Sequence, residues 1–163
     1  MNTLAQRITK ERIIDLRGDT KQAVLKELID KIATAPEITS KDDFTAAIID
    51  REKIMTTGIG EGVAVPHVKT NSVKDFVIAI GIKRKGVDFD AIDGRPVYLV
   101  IMIGANPKKH NAYLKILAMA CSLLKNPEFR DKMINAPSRE AVIELFQNNS
   151  TGTISKLLTK PRQ

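Results

Sequence analysis

Histidine is scarce in this 163-residue chain, which has two of them, His67 and His110. His67 closes the stretch GIGEGVAVPH, residues 58–67, in which three alternating glycines lead into a short apolar run. Several chemistries use such residues, and spacing discriminates among them. A dinucleotide fingerprint needs G-x-G-x-x-G after a strand and before a helix. Here the spacing is G-x-G-x-G, the glycines precede the apolar run, and no G-x-x-x-x-G-K-[ST] occurs. A metal site is unsupported, because the two histidines are far apart in sequence and no Cys/His cluster joins them. A serine hydrolase is unsupported for want of a G-x-S-x-G elbow.

What remains is a histidine acting by itself. A neutral imidazole carries a free lone pair and accepts a phosphoryl group at neutral pH. Such a site needs a rigid element ending at the imidazole, an acceptor for its other nitrogen, and cations or donors for the phosphoryl oxygens. Pro66 supplies rigidity before His67. Gly58, Gly60 and Gly62 lack side-chain bulk and could turn backbone N–H groups toward an anion. Arg51 and His110 are the candidate cations. Taken alone, a single histidine more often fills an ordinary turn or surface role.

The elements that must position these residues alternate along the chain. ERIIDL (11–16) reads as a short strand and Gly18-Asp19-Thr20 as a turn with an N-cap. Leu25, Leu28, Ile29 and Ile32 form one helix face. A second helix starts near Ser40, with Phe44, Ala47 and Ile48 as its buried stripe. Arg51 is next in that phase. It either snorkels, its stem packed and its head in water, or points a permanent cation into a polar site. Residues 57–62 read as a glycine-rich loop and VAV (63–65) as a strand ending at Pro66-His67. FVIAIGI (76–82) and PVYLVIMIG are buried strands, with Asp93-Gly94 as a tight turn before the latter. Asp88 and Asp90 are taken as turn and strand-end residues like Asp93. A helical pattern from about Lys108 to Leu124 carries Tyr113, Ile116, Leu117, Ala120 and Leu124, and Asn126-Pro127 starts another helix. Pro137-Ser138 opens a last one with Val142, Leu145 and Phe146. The sum is an α/β fold, one domain over 1–148, a sheet with helices on both faces, followed by a loose basic tail over 149–163.

Bulk composition narrows the classes. The chain is 43% hydrophobic and 28% charged, which is globular. Its apolar runs are shorter than the ~20 residues of a membrane span, and the N-terminus lacks a signal-peptide core. The single cysteine, Cys121, permits no internal disulfide and reads as a small buried hydrophobe, as expected in a reducing cytoplasm. The net charge of +7 is spread along the chain, and with 4% aromatics a nucleic-acid surface is not expected.

REKIMTTGIGEGVAVPH (51–67) closely resembles the active-site signature of type-2 EIIA proteins. These are the fructose, mannitol and nitrogen-regulatory domains of the bacterial phosphoenolpyruvate-dependent phosphotransferase system. FDAIDGRPVYLVIMI (89–103) and His110 with NAYLKILAMACSLL are similar to later segments of the family, so the resemblance covers about residues 6–148. It implies a mixed sheet flanked by helices and a phosphocarrier that needs no metal, nucleotide or other cofactor. His67 would accept a phosphoryl group at Nε2 from HPr or an HPr-like protein. It would then pass the group to an EIIB cysteine or hold it as a regulatory mark on a target protein. Arg51 would lie near the phosphoryl group and His110 would line the site. Glu61 would orient or hydrogen-bond the active histidine, with Thr57 as a further donor. Val68 departs from the family's usual small residue and bears on access to the site. No HPr, EIIB or membrane segment accompanies the domain, which leans toward a stand-alone nitrogen-regulatory protein over a sugar-transport component; a further alternative, a regulatory binding module that is not phosphorylated, is disfavoured by the intact Arg51, His67 and His110. The protein is expected in the cytoplasm, without direct membrane insertion.

Overall fold

The computed structural model describes residues 4–158, with side chains to Asn149. Two short 3₁₀ turns (Leu4–Arg7 and Lys10–Arg12) precede β1 (Ile13–Asp15), α1 (Lys21–Ile32) and α2 (Lys41–Ile54). Three short strands follow, β2 (Gly58–Gly60), β3 (Val63–Ala64) and β4 (His67–Lys69), then the long β5 (Phe76–Val87) and β6 (Val97–Ala105). Helices α3 (His110–Leu124), α4 (Pro127–Ile134) and α5 (Arg139–Leu158) complete the chain. The helix starts obey their capping signals. Thr20 accepts from the Ala23 amide, Ser40 from Asp43, and Asn126 from Glu128 and Phe129.

The sheet is mixed and runs β1-β5-β6-β3-β2, with β4 also on β6. β5 and β6 pair antiparallel at its centre, while β1 pairs parallel with β5 and β3 and β4 pair parallel with β6. Both central strands are apolar on both faces because both faces are covered. Phe76, Ile78, Ile80, Ile82, Leu99, Ile101 and Ile103 pack with α3, α4 and α5. Val77, Ala79, Val100 and Met102 pack with α1 and α2. The predicted α/β sandwich is therefore what forms. No described helix is long and apolar enough to cross a membrane.

Four details differ from the sequence reading. β5 runs on through Lys83-Arg84-Lys85-Gly86 to Val87. The glycine-rich segment contributes a strand, β2, rather than only a loop. The strand read as ending at Pro66-His67 resumes as β4. The last helix runs to Leu158, beyond the apolar positions that predicted it. The expected loose tail over 149–163 lies largely outside the residues whose side chains are described.

Candidate functional site

β3 and β4 are one strand interrupted at Pro66. Val63 stands opposite Leu99 and His67 opposite Ile103, the same offset on both sides of the break. Proline has no N–H to give the ladder, but the Pro66 carbonyl still accepts from the Ile103 amide at 2.9 Å. The two-residue alternation therefore survives. Val63 and Val65 face the α3 side, and His67 and Lys69 follow them, while Val68 faces α2. On the outer edge, β2 covers β3, and the Val65 amide donates to the Thr57 carbonyl at 3.0 Å. Past that point β4 pairs with β6 alone among the described strands. His67 sits where the sheet edge opens and is half-buried.

The ring has a defined tautomer. His67 Nδ1 lies 2.6 Å from the Val65 carbonyl oxygen. A carbonyl oxygen only accepts, so Nδ1 carries the proton and Nε2 keeps the lone pair. Burial holds the imidazole pKa below its ordinary value of 6.5, and the Arg51 guanidinium pushes the same way. The Val65 hydrogen bond and the Glu52 charge oppose them. The neutral, nucleophilic ring is thus favoured near neutral pH. Tyr113 of α3 stands with its ring centroid 6.3 Å from that of His67, tilted by 43°. Burial pushes its phenol up to about 12, despite the opposing Arg51 charge. Arg51 stands close enough to act on both rings. Its Nη1 donates to the Met55 carbonyl at 2.9 Å, which folds the guanidinium back over the end of α2.

Two residues lie behind His67: Glu52, which the sequence reading missed, and Thr57, which it offered as a donor. Glu52 is only 9% exposed and Thr57 only 2%. The Glu52 carboxylate accepts from the Thr57 amide at 2.9 Å and from the Thr57 hydroxyl at 2.7 Å. It also pairs with the Lys21 ammonium at 2.8 Å. A buried charge is tolerated only when paired and hydrogen-bonded, and this one is both. A continuous chain results: Lys21 holds Glu52, Glu52 holds Thr57, Thr57 holds Val65, and Val65 holds the imidazole. Thr57 is therefore a link of the scaffold in this structure, its hydroxyl already committed to Glu52. The clue in the sequence was position: Glu52 falls four residues after Ile48 and eight after Phe44, on the flank of the buried stripe.

His110 is the first residue of α3. Its Nδ1 lies 2.6 Å from the Lys69 ammonium, and that ammonium sits 5.7 Å over the Tyr113 ring. His67, Arg51, Tyr113, Lys69 and His110 are thus neighbours in one cluster. Lys69 was missed too, although its place two residues after His67 in a strand puts it on the same face.

Glu61 goes elsewhere. It occupies the β2–β3 turn with φ of 57°, and its carboxylate lies 3.5 Å from Arg130 of α4. Its amide donates to Asp93 at 3.0 Å. These partners hold a turn, and among its described contacts none is to His67. Three amides of this segment are likewise engaged within the fold. The Gly58 amide donates to the Thr56 hydroxyl at 3.1 Å, and those of Thr57 and Glu61 are taken by Glu52 and Asp93. Gly58 is instead demanded by close approach, since a Cβ there would lie 2.8 Å from the Ala91 Cα. Asp88 and Asp93 accept backbone amides two residues on, as turn residues do. Cys121 is half-buried and burial raises its thiol pKa, which is the opposite of a reactive thiolate. Among the described residues, no group of three or more His, Cys, Asp or Glu could hold a metal ion.

An oriented imidazole with a free nitrogen, a guanidinium beside it and an open sheet edge can accept and release a phosphoryl group. Comparison with known proteins gives the family. Residues 7–149 match the model of the "Phosphoenolpyruvate-dependent sugar phosphotransferase system, EIIA 2" family. A fructose-specific EIIABC component of Bacillus subtilis is 33% identical over 90% of this chain, which spans only 23% of that longer protein. A fructose-specific EIIA component of Haloferax volcanii is 32% identical, over 78% of this chain and 82% of its own. A nitrogen regulatory protein of Pseudomonas aeruginosa is 29% identical, over 93% and 99%. The crystal structure of nitrogen regulatory protein IIA-Ntr from Neisseria meningitidis superposes with a TM-score of 0.81 at 25% identity, covering 88% of this chain and 98% of that one. A match that takes in both histidines and all but the ends of the chain leaves one assignment: this protein is a phosphocarrier of the EIIA 2 family of the phosphotransferase system.

Proposed function

We propose that His67 is the phosphoryl acceptor, loaded by an HPr-like phosphohistidine protein. The His67 Nε2 lone pair attacks phosphorus, the donor's N–P bond breaks, and the electron pair leaves with the donor imidazole, which takes up a proton. The observation that carries this reading is the Nδ1–H bond from His67 to the Val65 carbonyl, which leaves Nε2 free. The Arg51 guanidinium offsets the added charge of the phosphoryl group, about −1.5 to −2 by analogy with other phosphorylated side chains. From His67 the group passes to a cysteine on an EIIB partner or serves as a mark read by a regulated protein.

Each recipient has its own support. Identity of 33% and 32% to the two fructose components favours transfer to EIIB. Near-complete mutual coverage with the Pseudomonas nitrogen regulatory protein favours the regulatory reading. Incubation with enzyme I, HPr and phosphoenolpyruvate tests the acceptor directly. An acid-labile adduct is expected on the parent protein and absent from folded His67→Ala. An undiminished adduct in that variant would refute the assignment. Adding an EIIB domain then separates the readings, since rapid discharge to its cysteine marks a transport carrier and a persistent adduct marks a regulator.

A further inference from the structure

We propose that Lys69 is a positioning residue that locks His110 as its neutral Nε2–H tautomer, so that the second histidine meets the phosphoryl group as a donor while Arg51 supplies the positive charge. The role at the phosphoryl group rests on the phosphocarrier reading above, but the tautomer lock does not.

The argument starts from the 2.6 Å separation of the Lys69 ammonium nitrogen and His110 Nδ1. Three protonation states could stand there. A protonated His110 would turn an Nδ1–H against an ammonium that has only donors, leaving two like charges in contact with no bond between them. A neutral lysine accepting from Nδ1–H would move a proton off the group that holds it roughly four pKa units more tightly in ordinary side chains. The third state has the ammonium donating into the Nδ1 lone pair. It forms a charge-assisted bond and leaves the other ring nitrogen, Nε2, as N–H.

The rest of the cluster fits that state. Lys69 is anchored from a second side by the Tyr113 ring, 5.7 Å from its ammonium. β4 aims Lys69 and His67 at one face, and α3 supplies His110 and Tyr113. Arg51 approaches from α2, while Lys108 and Lys109 precede His110 in the chain. A charged His110 would add one more cation to this basic surface. Kept neutral, it contributes direction instead of charge. The two imidazoles are then locked in opposite senses. The Val65 carbonyl gives His67 a bare Nε2, and the Lys69 ammonium gives His110 a protonated one.

Long-range ¹⁵N–¹H correlation spectra of the full chain read both tautomers without any phosphoryl transfer. At about pH 8, above the ordinary histidine range, His110 should show a protonated Nε2 and a bare Nδ1. Lys69→Met should move both nitrogens toward the average of two exchanging tautomers, while Lys69→Arg, which keeps a donor, should not. Phosphoryl transfer from HPr should fall about tenfold in Lys69→Met, the size of one lost hydrogen bond to a charged group. Lys69→Met combined with His110→Ala should lose no more than the worse single variant, because both act through one ring. Unchanged His110 nitrogen signals in Lys69→Met, or losses that multiply in the double variant, would overturn the proposal. Absence of any adduct on the parent protein would sink the phosphocarrier reading and leave the tautomer result standing.

Discussion

At the scale of single residues, the chemistry depends on which nitrogen of His67 is bare and at what pH it stays so. Burial depresses the imidazole pKa most, and Arg51 adds to it. The folded value therefore lies below 6.5, the value of the unfolded chain. As pH falls from 6.5 to the folded pKa, the unfolded chain takes a proton that the folded one refuses, so this group lowers stability in that window and not above it. For the same reason the acid limb of the transfer rate should lie below pH 6.5. An NMR titration of His67 against the pH–rate profile checks this, and coincidence of either midpoint with the unperturbed value would contradict it. Arg51→Gln should raise the His67 pKa, because it removes a positive charge that disfavours the imidazolium. The same variant should slow transfer about 100-fold, on the scale of losing a charged contact to a transition state. Arg51→Lys should recover only part of that loss, since a point charge cannot reproduce a planar fork.

At the scale of elements, β4 and the end of α2 turn a common residue type into a site. The Glu52 carboxylate and Lys21 ammonium are both largely shielded from water, with side-chain exposures of 6% and 12%. Glu52→Gln should destabilise the fold by about 3 kcal/mol, because it leaves the Lys21 charge buried and uncompensated. Urea unfolding measures it, and a change within error would show the pair to be incidental. Val68 makes the converse case. It stands beside Gly104 and packs against the core under α1 and α2, on the sheet face opposite His67. Val68→Gly should lose roughly 1–2 kcal/mol of stability from lost burial and a looser strand. Its transfer rate should stay within about twofold of the parent. A large rate change would return Val68 to the role of gatekeeper that its departure from the family pattern suggested. These elements also show where the sequence was legible. The cap at Ser40, the stripe of α2 and the approach to Pro66 follow from local rules. Glu52 did not, because positions 51 and 52 flank the same stripe. What selects Glu52 for burial is Lys21, on another helix. The partner of Glu61 was hidden for the matching reason: its neighbours in sequence are the site's neighbours, but Arg130 comes from α4.

At the scale of the whole molecule, two separate cores cover the two faces of the sheet. Phe146 of α5 is 1% exposed and meets Phe129 edge-to-face at 5.2 Å. Phe146→Ala should therefore lose about 3–5 kcal/mol in thermal or urea unfolding. Its His67 pKa should not move, because none of the groups that set it changes. A moved His67 titration would mean that the helical layer reaches the site through packing. The sequence by itself determined the alternation of strands and helices, the buried central pair and the likeness to EIIA proteins built around His67. Those follow from periodicity, capping and turn chemistry, which act between near neighbours in the chain. Tertiary structure alone decided the buried Lys21–Glu52–Thr57 support and the meeting of Glu61 with Arg130. It also decided the face on which Val68 lies and the meeting of Lys69 with His110. Each of these joins residues from different elements, and the energy that selects them, burial of charge or of apolar surface, exists only once the sheet and helices have closed on one another.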